Sequence, residues 1–95
     1  MSAYVIARVD VTDPAKYEKY KALAPAAIAA HGGEYLARGG KVVTLEGPEE
    51  TLRVVILRFP SLEKAQAFYD SPEYQAAKFE REGAAVGNFI AVEGL

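Results

Sequence analysis

The stretch from Phe59 to Tyr74 carries two helix starts in succession, so the rest of the chain must supply a surface for both helices to lie on. Pro60 has no N–H to give a strand ladder, and the apolar run Leu52–Phe59 therefore ends there. Ser61 can accept from the free N–H groups of the following turn, as an N-cap does. Leu62, Ala65, Phe68 and Tyr69 then recur at helical spacing. Ser71-Pro72 repeats the signal, with Ser as cap, Pro at the first helical position and Glu73 at the positive end of the new helix. Two helices thus meet at Asp70-Ser71, with Tyr69 and Tyr74 flanking the joint.

The surface comes from four extended segments. Tyr4–Val11 alternates, with Val5, Ala7, Val9 and Val11 on one face and Tyr4, Ile6, Arg8 and Asp10 on the other. Asp13-Pro14 then starts a helix, and Tyr17, Tyr20, Ala24, Ala27, Ile28 and His31 keep its stripe. Pro25 should kink that helix or split it, and Gly32 should close it as a left-handed cap. Tyr35-Leu36-Ala37 reads as a short strand that Arg38-Gly39-Gly40 bends or bulges, and Val42–Leu45 continues it in extended form up to a turn at Glu46–Glu50. In Leu52–Phe59 both faces are apolar: Leu52, Val54 and Ile56 on one, Val55, Leu57 and Phe59 on the other. Val86–Val92 is the last strand, with Phe89 and Ile90 on opposite faces.

The order strand-helix-strand-strand-helix-strand is a split βαβ pair. The expected fold is therefore α+β, a ferredoxin-like plait with an antiparallel four-stranded sheet in one domain over residues 1–95. Its helices cover one face only. The other would leave an apolar patch larger than monomers usually expose, so a homodimer with its sheets face to face is expected. A net charge of -2 gives no footprint for nucleic acid or for an anionic membrane surface. No cysteine is present, which excludes disulfides and thiol chemistry. With no long apolar run and no basic leader, a cytoplasmic setting is the expectation.

Several segments together carry a resemblance. They are Asp13-Pro14 with Tyr17 and Tyr20, His31-Gly32-Gly33, Arg38-Gly39-Gly40, Leu45-Glu46-Gly47, Phe59-Pro60-Ser61, Tyr69–Gln75 and Val92-Glu93-Gly94. The pattern resembles the family catalogued as domain of unknown function 1330, over nearly the whole chain. That resemblance implies a dimeric α+β barrel and no established activity. The wider superfamily of such barrels includes small monooxygenases, lactone isomerases, haem-handling enzymes and ligand-sensing domains, and fold alone does not choose among them. Phe68 stands where similar sequences often have Trp, and Arg58 where an acidic residue is usual, so no role tied to that acid carries over.

The candidate site residues have competing readings. His31, the one histidine, reads as a general base or haem ligand, or more simply as an imidazole favoured by the helix dipole. One His and no Cys do not supply a soft-metal ligand set, and no cofactor is expected. Arg38 reads as an anion clamp or as a solvated residue at a bulge. Arg8, Arg53 and Arg58 lie within strands and either face a cavity or pair with carboxylates such as Glu46 and Asp10. Tyr69, Ser71 and Tyr74 could line a small-molecule pocket; as structure, Ser71 is a cap and the tyrosines are core. Arg81, on the stripe of Tyr74, reaches that pocket or pairs with Glu73 or Glu82.

Three functions follow. The first is a cofactor-free homodimer holding a small organic ligand between sheet and helices. The second is an enzyme of monooxygenase or isomerase type working through His31 or a tyrosine. The third is a purely structural dimerisation module, which requires a filled core.

Overall fold

The computed structural model describes Met1–Leu95 and contains four strands and three helices. They run β1 (Ala3–Val11), α1 (Pro14–Ala30), β2 (Glu34–Arg38), β3 (Arg53–Phe59), α2 (Leu62–Asp70), α3 (Pro72–Glu80) and β4 (Ala85–Glu93). The sheet order is β2-β3-β1-β4, antiparallel throughout, which is the ferredoxin-like βαββαβ arrangement.

Each helix starts where its cap stands. The side chains of Asp13, Ser61 and Ser71 accept from the backbone N–H of Lys16, Lys64 and Tyr74. Gly32 closes α1 at φ +76°. Gly33 is required for a different reason. A Cβ there would stand 2.5 Å from the Phe59 ring and 2.8 Å from Ile28 Cγ2, so the end of α1 and the end of β3 can touch only across a bare backbone. The helices cover the face that carries Val5, Ala7 and Val9 of β1 and Leu57 and Phe59 of β3. Tyr74, Phe59, Phe68 and Val9 are the largest fully buried side chains there.

The opposite face is open and apolar. The register sets Ile56, Ile6 and Ile90 side by side across three strands, with Ile90 56% exposed. Two arginines on that face are neutralised: Arg8 pairs with Glu50 through both carboxylate oxygens, and Arg58 reaches Glu34 at 3.1 Å. The expected partners Glu46 and Asp10 are not used, because the loop after β2 returns Glu50 to Arg8 while Glu34 lies opposite Arg58 in the ladder.

Three further expectations can be set against the structure. Helix α1 is not split at Pro25 and runs as one helix from Pro14 to Ala30. A proline there removes the donor for the Lys21 carbonyl, and Arg38 Nη2 donates to that oxygen instead, at 3.2 Å. The chain does bend at Gly39, with φ +70°, as expected, while the register shift of the ladder comes earlier, between Tyr35 and Ala37. Residues 42–45 join no strand ladder, and Leu45 is 94% exposed.

Candidate functional site

Alternation in β3 sends Arg53 to the helix side with Val55, Leu57 and Phe59, opposite Val9 of β1. Across from it, α1 presents Tyr17, Tyr20 and Ala24, and α3 adds Tyr74. These do not close completely. A cavity remains with about 30 Å³ open to the centres of water molecules, room for about two of them. Its deep walls are Tyr17, Tyr20, Tyr74 and Phe68, all buried; Lys21, Tyr35 and Arg38 stand at the more exposed end.

Two guanidiniums border this cavity. That of Arg53 lies against Gly39, where any Cβ would collide with it, and 5.9 Å from the Tyr17 ring centroid. That of Arg38 stacks 4.6 Å over Tyr35 while holding the Lys21 carbonyl. Lys21 itself pairs with Glu18 at 3.1 Å.

Two of the phenols are linked. Tyr20 and Tyr74 share a buried hydrogen bond of 2.8 Å between their hydroxyls. Burial, then the neighbouring Tyr74, pushes the Tyr20 phenol far above its ordinary value. Burial also raises Tyr17 and Tyr35, with Arg53 and Arg38 respectively acting in the other direction.

A second, wider recess opens behind Phe68 and Phe89, between α2, α3 and β4, with about 600 Å³ open to water centres. Tyr69, Asp70, Lys78 and Arg81 line it. Arg81 is only 7% exposed and lies 5.3 Å from the Tyr20 centroid and 4.9 Å from that of Phe89. Burial works against its charge, but the phenols of Tyr74, Tyr20 and Tyr69 more than offset that and its pKa is raised.

The structure thus brings Arg38, Arg53 and Tyr74 to one cavity and Tyr69 and Arg81 to the other. Ser71 lines neither: its hydroxyl accepts from the Tyr74 N–H at 3.1 Å and donates to the Phe68 carbonyl at 2.7 Å. His31 also lines neither. It ends α1, edge-on to Phe68, with Nε2 3.9 Å from a Glu73 carboxylate oxygen and no hydrogen bond. The sequence reading did not single out Lys21 and Tyr35 at the mouth, and placed Tyr17 and Tyr20 only on the stripe of α1. The available signal was Pro25, which frees the Lys21 carbonyl and so places a donor beside α1. No group of three or more His, Asp or Glu side chains is placed to hold a metal ion.

Arg38, Arg53 and Arg81 have no carboxylate at ion-pair distance, whereas Arg8 and Arg58 on the open face do. The Nε atoms of Arg53 and Arg81 are buried without any hydrogen-bond partner.

Solved structures share this fold. The RPA0582 protein of unknown function from Rhodopseudomonas palustris superposes with a TM-score of 0.78 at 21% identity, over 99% of this chain and 82% of its own. SnoaB, a cofactor-independent oxygenase from Streptomyces nogalater, gives 0.69 at 14% identity over 99% and 93%. A dimeric protein of unknown function and ferredoxin-like fold from Bacteroides fragilis gives 0.62 at 16% over 98% and 96%. No curated protein matches the chain. The family described as domain of unknown function DUF1330 matches residues 2–95, and the chain belongs to that family.

Proposed function

We propose that the protein is a small homodimer in which each subunit holds a small organic ligand between sheet and helices. The observation that carries this is the recess of about 600 Å³ between α2, α3 and β4, beside Arg81, whose Nε is buried with no acceptor. A core built only for stability would fill that space and pair that donor. The row Ile56–Ile6–Ile90 supports the dimer, since a second copy is the simplest cover for an apolar sheet face. The likeness to the Bacteroides fragilis protein, itself described as dimeric, agrees with it. No cofactor, nucleic acid or membrane enters the reading, and we place the dimer in the cytoplasm. No helix is long and apolar enough to cross a membrane.

An enzyme of monooxygenase or isomerase type draws support from the fold likeness to SnoaB. Its candidate groups are poorly disposed, however. His31 lines neither cavity, and burial holds the Tyr17 and Tyr20 phenols neutral and weak as bases. A thermal-shift screen of the wild-type protein against small acids, amides, phenols and quinones tests the ligand reading. Hits should raise the melting temperature in proportion to the logarithm of ligand concentration. A panel without a single hit would favour the structural module.

A further inference from the structure

The end of α3 carries two cations on one face, and no acid of the chain meets either. Lys78 and Arg81 stand three residues apart, and both line the wide recess between α2, α3 and β4. From this we infer that the recess takes an organic acid, its carboxylate by Lys78 and Arg81 and its apolar body along Tyr69, Phe89 and Ala91. The inference rests on the ligand reading above and narrows it to one chemical class.

Charge makes the first part of the case. Arg81 is 7% exposed, and its Nε is buried without a hydrogen-bond partner. A guanidinium does not shed its proton, so burying one calls for an opposite charge. Its neighbours Tyr20 and Tyr74 do not supply it: their hydroxyls bond to each other at 2.8 Å, and burial keeps Tyr20 protonated. Asp70 lines the same recess but is at ion-pair distance from neither Lys78 nor Arg81. Two like charges three residues apart on a helix repel each other. The α3 dipole favours cations at this end, yet that gain is smaller than the hydration a buried guanidinium gives up. On the open face the same chain does pair its arginines, with Glu50 and Glu34. The missing anion is therefore specific to the helix side.

Size and shape make the second part. About 600 Å³ open to water centres has room for a body of two fused rings, whereas the inner aromatic cavity, at about 30 Å³, has room only for water. Lys78 Nζ lies 5.3 Å from the Tyr69 ring centroid and Arg81 Cζ 4.9 Å from that of Phe89, and those two rings are 6.2 Å apart. The two cations thus flank one aromatic pair. Phe89 keeps its place because Gly87 is bare; a Cβ there would collide with the ring. The Nε edge of Arg81 is closed, so the carboxylate meets the outer nitrogens of the fork together with the Lys78 ammonium. An inorganic anion would answer the charge but leave Tyr69, Phe89 and Ala91 without a partner, whereas an organic body would cover them.

Titration calorimetry with 2-naphthoate, 2-naphthamide and inorganic phosphate decides it. The amide keeps the shape and removes the charge; phosphate keeps the charge and removes the rings. Naphthoate should bind at least about tenfold tighter than either, since charge-assisted hydrogen bonds are roughly twice as strong as neutral ones. Added salt should weaken naphthoate and leave the amide unchanged. Arg81→Gln should bring naphthoate down to the level of the amide, and Lys78→Gln should move it part of the way, with amide binding the same in both. If Arg81→Gln does not fold, Lys78→Gln, at a half-buried position, reads the site by itself. Equal binding of amide and acid would overturn the acid and leave the ligand reading standing. Phosphate binding as tightly as naphthoate would overturn the organic body. Unchanged naphthoate affinity in either folded variant would overturn the site. No binding of the three probes, with other hits in the thermal-shift screen, would overturn the acid class alone; no binding in either experiment would overturn both readings.

Discussion

Ser71→Ala removes one hydroxyl from the joint of α2 and α3. In the folded protein that hydroxyl accepts from the Tyr74 N–H and donates to the Phe68 carbonyl, in a residue only 6% exposed. The two bonds are not equal losses. The Phe68 carbonyl keeps a donor, the Ser71 backbone N–H at 3.2 Å, so that acceptor is not orphaned. The Tyr74 N–H has no other partner, and the Tyr74 side chain is 0% exposed, so water cannot readily replace the lost oxygen. An orphaned buried donor costs about 1–3 kcal/mol, against about 0.5–2 kcal/mol for an ordinary N-cap. We expect about 2 kcal/mol. Ser61→Ala is the internal control. The Ser61 side chain makes the same cap bond, to the Lys64 N–H at 3.1 Å, in a solvent-exposed setting, and should lose about 1 kcal/mol or less.

Urea unfolding at one fixed protein concentration reads both variants. At a slope of about 1–3 kcal/mol per molar, the Ser71 variant should shift its midpoint by roughly 1 M. On heating, a chain of this size should lose about 4–8 °C per kcal/mol. The reasoning fails if Ser71→Ala costs no more than Ser61→Ala, for then burial of the joint would add nothing to capping.

Four other outcomes follow from the structure. Gly33→Ala drives a methyl into Phe59 and Ile28 and should destabilise by about 1–3 kcal/mol, read by the same unfolding curve; a neutral result would mean that the end of α1 can lift off β3. The charge of Arg8 holds the Glu50 carboxyl below its ordinary value, first through their hydrogen bond. A lowered folded-state pKa adds stability above the unfolded value and loses it as pH falls through the folded one; wild type and Glu50→Gln should therefore differ at neutral pH and converge in acid, and a difference that persists there would refute the pairing. For Tyr17, Tyr20 and Tyr35 the folded-state pKa is raised, so their contribution is complete below about pH 10 and lost above it. Ultraviolet titration of the six tyrosines should show a late-ionising group that appears only with unfolding, and a single early transition would contradict the burial. Light scattering should give a dimer mass that Ile6→Glu lowers to a single chain, since Ile6 sits in the middle of the isoleucine row; a wild-type monomer would remove the dimer reading.

Much of the fold could be read because its signals are local. Asp13, Ser61 and Ser71 each announce a helix within four residues, and alternation in β1 and β3 sorts their side chains onto two faces without any knowledge of the partner strand. What could not be read depends on residues far apart in sequence. Pro25 looks like a break until Arg38, on a strand of another layer, is found donating to the orphaned carbonyl of Lys21. Val42–Leu45 has the composition of a strand, but no neighbouring backbone meets it, and composition carries no information on that. Arg8 chose Glu50 over Asp10 because of where the loop after β2 returns, which no alternation pattern encodes.

The site had a subtler ambiguity. Arg53 and Arg58 differ by an odd number of positions in one strand, so one must face the helices and the other the open side. Both faces of β3 are apolar, and hydrophobicity therefore does not say which. The glycines do. Gly33 is bare because the Phe59 ring passes there, which assigns the face of Phe59, Leu57 and Arg53 to the end of α1. Gly39 is bare because the guanidinium of Arg53 passes there, at the other end of the same strand face. Two glycines flanking β2 thus fix both ends of one side of β3. They place Arg58 in solvent beside Glu34 and turn Arg53 toward the helices, with its Nε buried and without a hydrogen-bond partner.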